Sequence, residues 1–236
     1  MEFTVSWTDK EALRTINKLR DEFGISDFIE TGTYKGVNAD IQSKNFNRVF
    51  TCEINPDYYI QANLRLKDRE NVYIEKMDSP SFLRRIMNKL PKKTIKFIYL
   101  DAHFYDPNLP KEQRFVVLRE LRALAKNNKC IICIHDFDNG KFGHITYDGQ
   151  PLDFNLLQYE LRDINPDFYY YTNTECDIVK SGKEIGLEDD DEMESTLKFV
   201  WSSPEKTKRG ILYCIPKKLD LKKYKLRKIN AIEFER

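Results

Sequence analysis

Glycine and proline are scarce in this 236-residue chain, nine of each, too few for a fibrous or a disordered protein. Long apolar runs are missing: none approaches the ~20 residues that span a bilayer. The opening MEFTVSWTDKEALRT lacks the basic-then-apolar pattern of a secretory signal. A dominant charge is missing as well. Lys and Arg number 39 against 38 Asp and Glu, a net charge of +1, which argues against broad electrostatic attachment to nucleic acid or a membrane surface. The five cysteines are Cys52, Cys130, Cys133, Cys176 and Cys214. Their odd count and mostly apolar surroundings indicate free, buried thiols and a reducing, cytoplasmic setting rather than a disulfide framework. Cys130 and Cys133 form a C-x-x-C inside KCIICIHDF, a strand-like run whose positions i and i+3 face opposite sides, so neither a redox pair nor a zinc site is expected.

What is present suffices for one sizeable core. Hydrophobic residues make up 41% and aromatics 13%, and the length fits one α/β domain better than two domains. Two periods alternate along the chain. Helical spacing covers Trp7–Phe23, Val37–Phe46, Asp57–Lys67, Ser79–Leu90, Gln113–Asn127 and Leu152–Ile164. Strand-like runs are Ser26–Glu30, Arg48–Glu53, Asn71–Met77, Lys96–Asp101, Cys130–His135, Phe168–Thr172 and Gly210–Pro216. The first five strands are separated by helices, which predicts a mostly parallel sheet covered on both faces. The last two lack an intervening helix and are expected to pair antiparallel. We therefore expect a single domain over residues 1–216, beginning with a helical segment within 1–25. An acidic loop insertion spans 181–208 and carries EDDDEME (188–194). A tail from 217 to 236 holds seven basic residues and one acid between Lys217 and Lys228, which reads as a solvated helix or interaction tail.

In an open α/β sheet, ligands bind outside the carboxyl ends of the strands, so the residues following each strand matter most. These are Glu30-Thr31-Gly32-Thr33-Tyr34-Lys35-Gly36, then Glu53, then Asp78-Ser79, then Asp101-Ala102-His103, then His135-Asp136. Every exit carries an acid, and the only three histidines, His103, His135 and His144, all follow the fourth or fifth strand. Gly32 permits a tight turn and Gly36 a close approach. The G-x-x-x-G spacing is neither a dinucleotide fingerprint nor a P-loop. An acid ahead of the glycines repels a pyrophosphate but suits an ammonium group. Glu53 can accept two ribose hydroxyls, and Asp78, beside Ser79, an adenine amino group. Singly, each acid also reads as a helix N-cap or a solvated loop residue; together they favour a cationic ligand bearing adenosine.

This ordered set resembles the class I S-adenosylmethionine-dependent methyltransferases, over roughly Phe28 to Pro216. The resemblance implies a Rossmann-like three-layer sandwich, with a mostly parallel seven-stranded sheet and an antiparallel last strand. It implies that the Glu30–Gly36 loop holds the methionine part of the cofactor, with Thr31 and Thr33 in it, that Glu53 holds the ribose, and that Asp78 and Ser79 lie by the adenine. The segments YLDAHF and IHDF are similar to methyltransferase-like proteins with D-A-H and H-D-F signatures. Asp101 and Asp136 also match the metal acids of the magnesium-dependent catechol-type O-methyltransferases. Here, however, Phe137 stands where that group has an asparagine ligand, and DAHFYD has no counterpart of its lysine base.

The expected reactive end is therefore Asp101, His103, His135 and Asp136. Asp101 and Asp136 are candidates for a divalent cation such as magnesium that would lower a hydroxyl pKa. His103 and His135 are candidates for a general base. The glycine-bearing loop around His144 has the length of a lid, and Tyr105, Phe142 and Tyr147 are candidate pocket residues. The reading is O-methylation of a small, sugar-like hydroxylated acceptor, since no aromatic-basic groove for nucleic acid is evident. Two other readings are a metal-dependent hydroxylase or hydrolase on the same scaffold and a cofactor-binding module without catalysis.

Overall fold

Five short runs rich in β-branched and aromatic residues make the parallel centre of a sheet. The computed structural model describes residues 10–102, 108, 110, 115–140, 146–147, 150–174 and 210–230. The five central strands are β1 (Asp27–Thr31), β2 (Arg48–Glu53), β3 (Val72–Lys76), β4 (Lys96–Leu100) and β5 (Cys130–Ile134). Strands β6 (Thr146–Tyr147) and β7 (Gln150–Pro151) form a separate two-stranded hairpin. β8 (Tyr169–Asn173), β9 (Leu212–Ile215) and β10 (Leu226–Ile229) complete the main sheet, whose order is β10-β8-β9-β5-β4-β1-β2-β3. β9 runs antiparallel to both β5 and β8, so β8 keeps the direction of the central five. β9 is thus an antiparallel strand wedged between parallel ones.

Among the described residues, each face of the sheet carries three α-helices. Alternation along the strands decides which side chains meet which layer. Phe28, Phe97, Tyr99, Ile131 and Cys133 pack with α1 (Lys10–Phe23), α2 (Val37–Ser43) and α3 (Pro56–Leu66). Ile29, Ile98, Leu100, Cys130 and Ile132 pack with α4 (Ser79–Lys89), α5 (Val116–Ala123) and α6 (Phe154–Ile164). Cys130 and Cys133 accordingly lie in opposite layers. All four described cysteines are free and buried, and burial pushes the Cys130 thiol up to about 12, which keeps it protonated and inert. Side-chain caps set the helix starts: Asn55 accepts from the Asp57 and Tyr58 N–H groups, Asp78 from Ser81 and Asp153 from Leu156. Among the described residues no helix is long and apolar enough to cross a membrane.

All seven expected strands are in place, and the basic tail adds an eighth. β10 pairs antiparallel with β8. Leu219, Tyr224 and Leu226 are buried against the α1 layer. The Leu219 N–H donates to Tyr171 Oη at 2.9 Å, and Tyr224 Oη donates to Glu22 at 2.8 Å. Lys217 pairs with Glu22. The apolar residues of this stretch are spaced singly among lysines, so the charge pattern hid an edge strand. The acidic insertion, His103, Tyr105, Phe142, His144 and Cys176 lie outside the described residues.

Candidate active site at the strand exits

The sheet order reverses between β1 and β4: the chain proceeds outward from β1 through β2 and β3, then returns to the other side of β1. That is the switch point at which such sheets bind ligands. The register aligns the exits. Thr31 lies beside Cys52 and Leu100, Glu53 beside Lys76, and Leu100 beside Ile134. Gly32, Glu53, Asp78, Asp101 and His135 therefore follow one edge of the sheet.

The glycine loop is pulled onto its neighbours by backbone bonds. The N–H groups of Gly32 and Thr33 both donate to the Cys52 carbonyl, at 3.1 and 3.0 Å. Gly32 has φ +77°, and a Cβ there would lie 2.7 Å from the Asp101 carbonyl oxygen. Gly36, at φ +76°, would meet Leu66 and Ala62 of α3 at 3.2–3.3 Å. Both motif glycines are thus required by backbone conformation and by close approach. Across the loop, Thr31 Oγ1 accepts from the Asp101 N–H at 3.2 Å.

Two buried glutamates brace this loop. Glu53 accepts the Tyr34 N–H at 2.7 Å on one carboxylate oxygen and the Asn55 N–H at 2.8 Å on the other, joining the loop to the start of α3. Glu30, 1% exposed, accepts from Asn38 Nδ2 at 2.5 Å and Thr51 Oγ1 at 2.7 Å. Gln42 Nε2 supports Asn38 from behind at 3.1 Å, and Thr33 Oγ1 meets Thr51 Oγ1 at 2.6 Å. Burial, reinforced by nearby Asp101 and Glu53, raises the Glu30 pKa to about 8 despite these donors. Among the described residues neither Glu30 nor Glu53 is bonded to a cationic side chain. The polar shell of Asn38, Gln42 and Thr51 was missed in the sequence. Its one signal is the i, i+4 pair Asn38/Gln42, directed inward on a helix that follows the glycines.

Asp78 and Ser79 sit at the next exit, where Asp78 caps α4 by accepting the Ser81 N–H at 3.0 Å. At the fourth and fifth exits two acids converge on one imidazole. His135 Nδ1 lies 3.0 Å from Asp101 Oδ1 and 3.3 Å from Asp136 Oδ1. His135 is 6% and Asp136 3% exposed. Asp136 holds a left-handed backbone, φ 52°, a conformation seldom kept without a compensating role. The Tyr99 ring lies 6.0 Å from that of His135, its phenol pushed well above its ordinary value by burial. Two carboxylates on Nδ1 call for a proton there, which puts the lone pair of the neutral ring on Nε2. The structure thus brings Glu30, Thr31, Gly32, Thr33, Glu53, Asp101, His135 and Asp136 together around β1, β2, β4 and β5. The expected pairing of Asp101 with Asp136 takes the form of a shared imidazole. Among the described residues no group of three or more His, Cys, Asp or Glu side chains is disposed to hold a metal ion.

No family model and no curated protein matches the sequence. Solved structures do match. The O-methyltransferase from Bacillus cereus, solved in complex with SAH, aligns with a TM-score of 0.53 at 12% identity, over 90% of this chain and 84% of that one. A human methyltransferase 10 domain containing protein gives 0.50 at 13%, over 92% and 86%. The methyltransferase domain of bacterial CtHen1-CN gives 0.50 at 9%, over 88% and 99%. The fold is that of the class I S-adenosylmethionine-dependent methyltransferases. On this methyltransferase fold the residues present fit the cofactor by charge. S-adenosylmethionine carries an ammonium and a sulfonium, and the exits of β2 and β4 on either side of the glycine loop offer Glu53 and Asp101, with no cationic side chain among the described residues bonded to Glu53.

Proposed function

We propose that this protein is an S-adenosylmethionine-dependent methyltransferase acting on a hydroxyl oxygen of a small acceptor. One observation carries the reading: on this fold, Asp101 and Asp136 converge on His135 Nδ1, at 3.0 and 3.3 Å, at the exits beside the glycine loop. When bound, S-adenosylmethionine supplies a methyl group activated by its sulfonium. Glu53 would accept from the ribose hydroxyls while keeping its bonds to the Tyr34 and Asn55 N–H groups. Asp78 and Ser79 would lie by the adenine. Asp101 and Asp136 orient the His135 ring so that its Nε2 would take the acceptor hydroxyl's proton. His135 would hold the hydroxyl proton displaced as the acceptor oxygen takes the methyl group that the bound cofactor supplies. The acids at the site favour a neutral, polyhydroxylated acceptor such as a sugar over an anionic one.

Calorimetric titration with S-adenosylmethionine and S-adenosylhomocysteine tests it. Saturable binding is expected, weakened about tenfold or more in Glu53→Gln, the loss of one charge-assisted interaction. His135→Gln should retain binding and lose methyl transfer to a panel of hydroxylated acceptors. Absence of saturable binding of both ligands would overturn the assignment.

A further inference from the structure

Glu30 is a buried carboxylate whose partners are all neutral. The groups facing it are Asn38 from α2, Thr51 and Glu53 from β2, and Asp101 after β4, which itself lies against His135. None of the side chains bonded to it supplies a positive charge, and both neighbouring acids repel one more negative charge. A carboxyl so placed holds its proton near neutrality. Beside it runs a two-hydroxyl chain: Glu30 Oε2 to Thr51 Oγ1 at 2.7 Å, then Thr51 Oγ1 to Thr33 Oγ1 at 2.6 Å. Thr33 belongs to the glycine loop. With Glu30 ionised, the hydrogens run from Thr33 to Thr51 to Glu30. With Glu30 protonated on Oε2, Glu30 donates to Thr51 and Thr51 to Thr33, so the chain is reversed. Asn38 donates to the other oxygen, Oε1, in either state.

We propose that Glu30 is a positioning residue rather than a direct cofactor ligand: it ionises when a cation is seated in the crevice, so that binding of S-adenosylmethionine expels one proton through Thr51 and Thr33. The balance is simple. The ligand's positive charge enters, the Glu30 O–H bond breaks, each hydroxyl passes on one hydrogen, and a proton reaches solvent. The ionised carboxylate then draws the Thr51 and Thr33 hydroxyls inward and holds the glycine loop against the ligand. The inference rests on the cofactor assignment above and adds to it a proton linkage, with Asn38, Thr51 and Thr33 as the residues that set it.

Titration calorimetry at pH 7 in phosphate and in Tris reads the proton directly, because the two buffers differ in ionisation enthalpy. The wild-type protein should release close to one proton on binding S-adenosylmethionine. Glu30→Gln, which mimics the protonated carboxyl, should bind with release near zero and with affinity flat from pH 6 to 7, below the titration of the ligand's own amino group, where the wild-type affinity rises. Thr51→Val removes a donor to the ionised form, so the rise of affinity with pH should move to higher pH. Wild-type binding with an enthalpy independent of buffer would overturn the proposal. A carbon-13 titration of the ligand-free protein's carboxyls, assigned with Glu30→Gln, separates the two levels of failure. Glu30 titrating near 8 without any cofactor binding would overturn the cofactor assignment and this linkage with it. Glu30 titrating in the ordinary carboxylate range would overturn the linkage alone.

Discussion

Gly32 and Gly24 share a left-handed backbone but differ in what surrounds them. At Gly32, φ +77°, a methyl group would enter the Asp101 carbonyl, whereas at Gly24, φ +61°, it would meet nothing within 4 Å. Gly24→Ala should therefore cost about 1 kcal/mol, the conformational penalty alone. Gly32→Ala should cost roughly 2–4 kcal/mol, because the loop must also move away from β4. Urea denaturation of the two variants checks the contrast. Glu30 makes a second testable point. Its folded-state pKa stands at about 8, above the ordinary 4.5, so the folded protein binds the extra proton between those values. Stability from this group is fully present below pH about 4.5 and lost as pH rises through about 8. Melting curves at pH 5 and pH 8 should show the wild type losing on the order of a few kcal/mol relative to Glu30→Gln. The glycine positions are legible in the sequence because glycine takes a left-handed backbone at the least cost and leaves room for a close approach. The neighbours that shift Glu30 were not, because Asn38, Thr51 and Asp101 reach it from three different elements.

Among the elements, the tail departs most from what its composition suggests. Its lysines look like a solvated appendage, yet Leu219, Tyr224 and Leu226 close the α1 layer and β10 covers the edge of β8. Ending the chain at Pro216 should uncover that edge and the α1 layer, and remove three buried apolar side chains that each contribute about 1.5–3 kcal/mol. Lower thermal stability and concentration-dependent aggregation, read by light scattering, are the expected outcome. Tyr224→Phe should cost only about 1 kcal/mol, since it removes the hydrogen bond to Glu22 and keeps the ring. The other elements were read well. Strands buried on both faces appear as continuous apolar runs, and α3 and α4 start at an Asn or Asp cap with proline in the first turn. α5 was expected over Gln113–Asn127 and forms over Val116–Ala123, the usual uncertainty at helix ends.

For the molecule as a whole, the order of strands decides the chemistry. Placing β4 beside β1, rather than beside β3, brings Asp101 to the glycine loop and His135 to Asp101. A ligand at that junction binds only the folded protein. S-adenosylmethionine at a hundred times its Kd should thus add about 2.7 kcal/mol, roughly 5–10 °C in Tm for a chain of this size. A melting curve unchanged at that concentration would contradict binding at the switch point.

The amino-acid sequence by itself determined the alternation of strands and helices, the two glycines of the loop and the acid at every strand exit. These rest on contacts within a few residues, where side-chain periodicity and backbone conformation act locally. Only the tertiary structure decided that Thr51 bonds Glu30 across 21 residues, that Asp101 and Asp136 meet on one nitrogen of His135, and that Lys18 binds the Lys223 carbonyl 205 residues away. The reason is geometric: such pairs depend on strand order and register, which bring together residues that no local period connects.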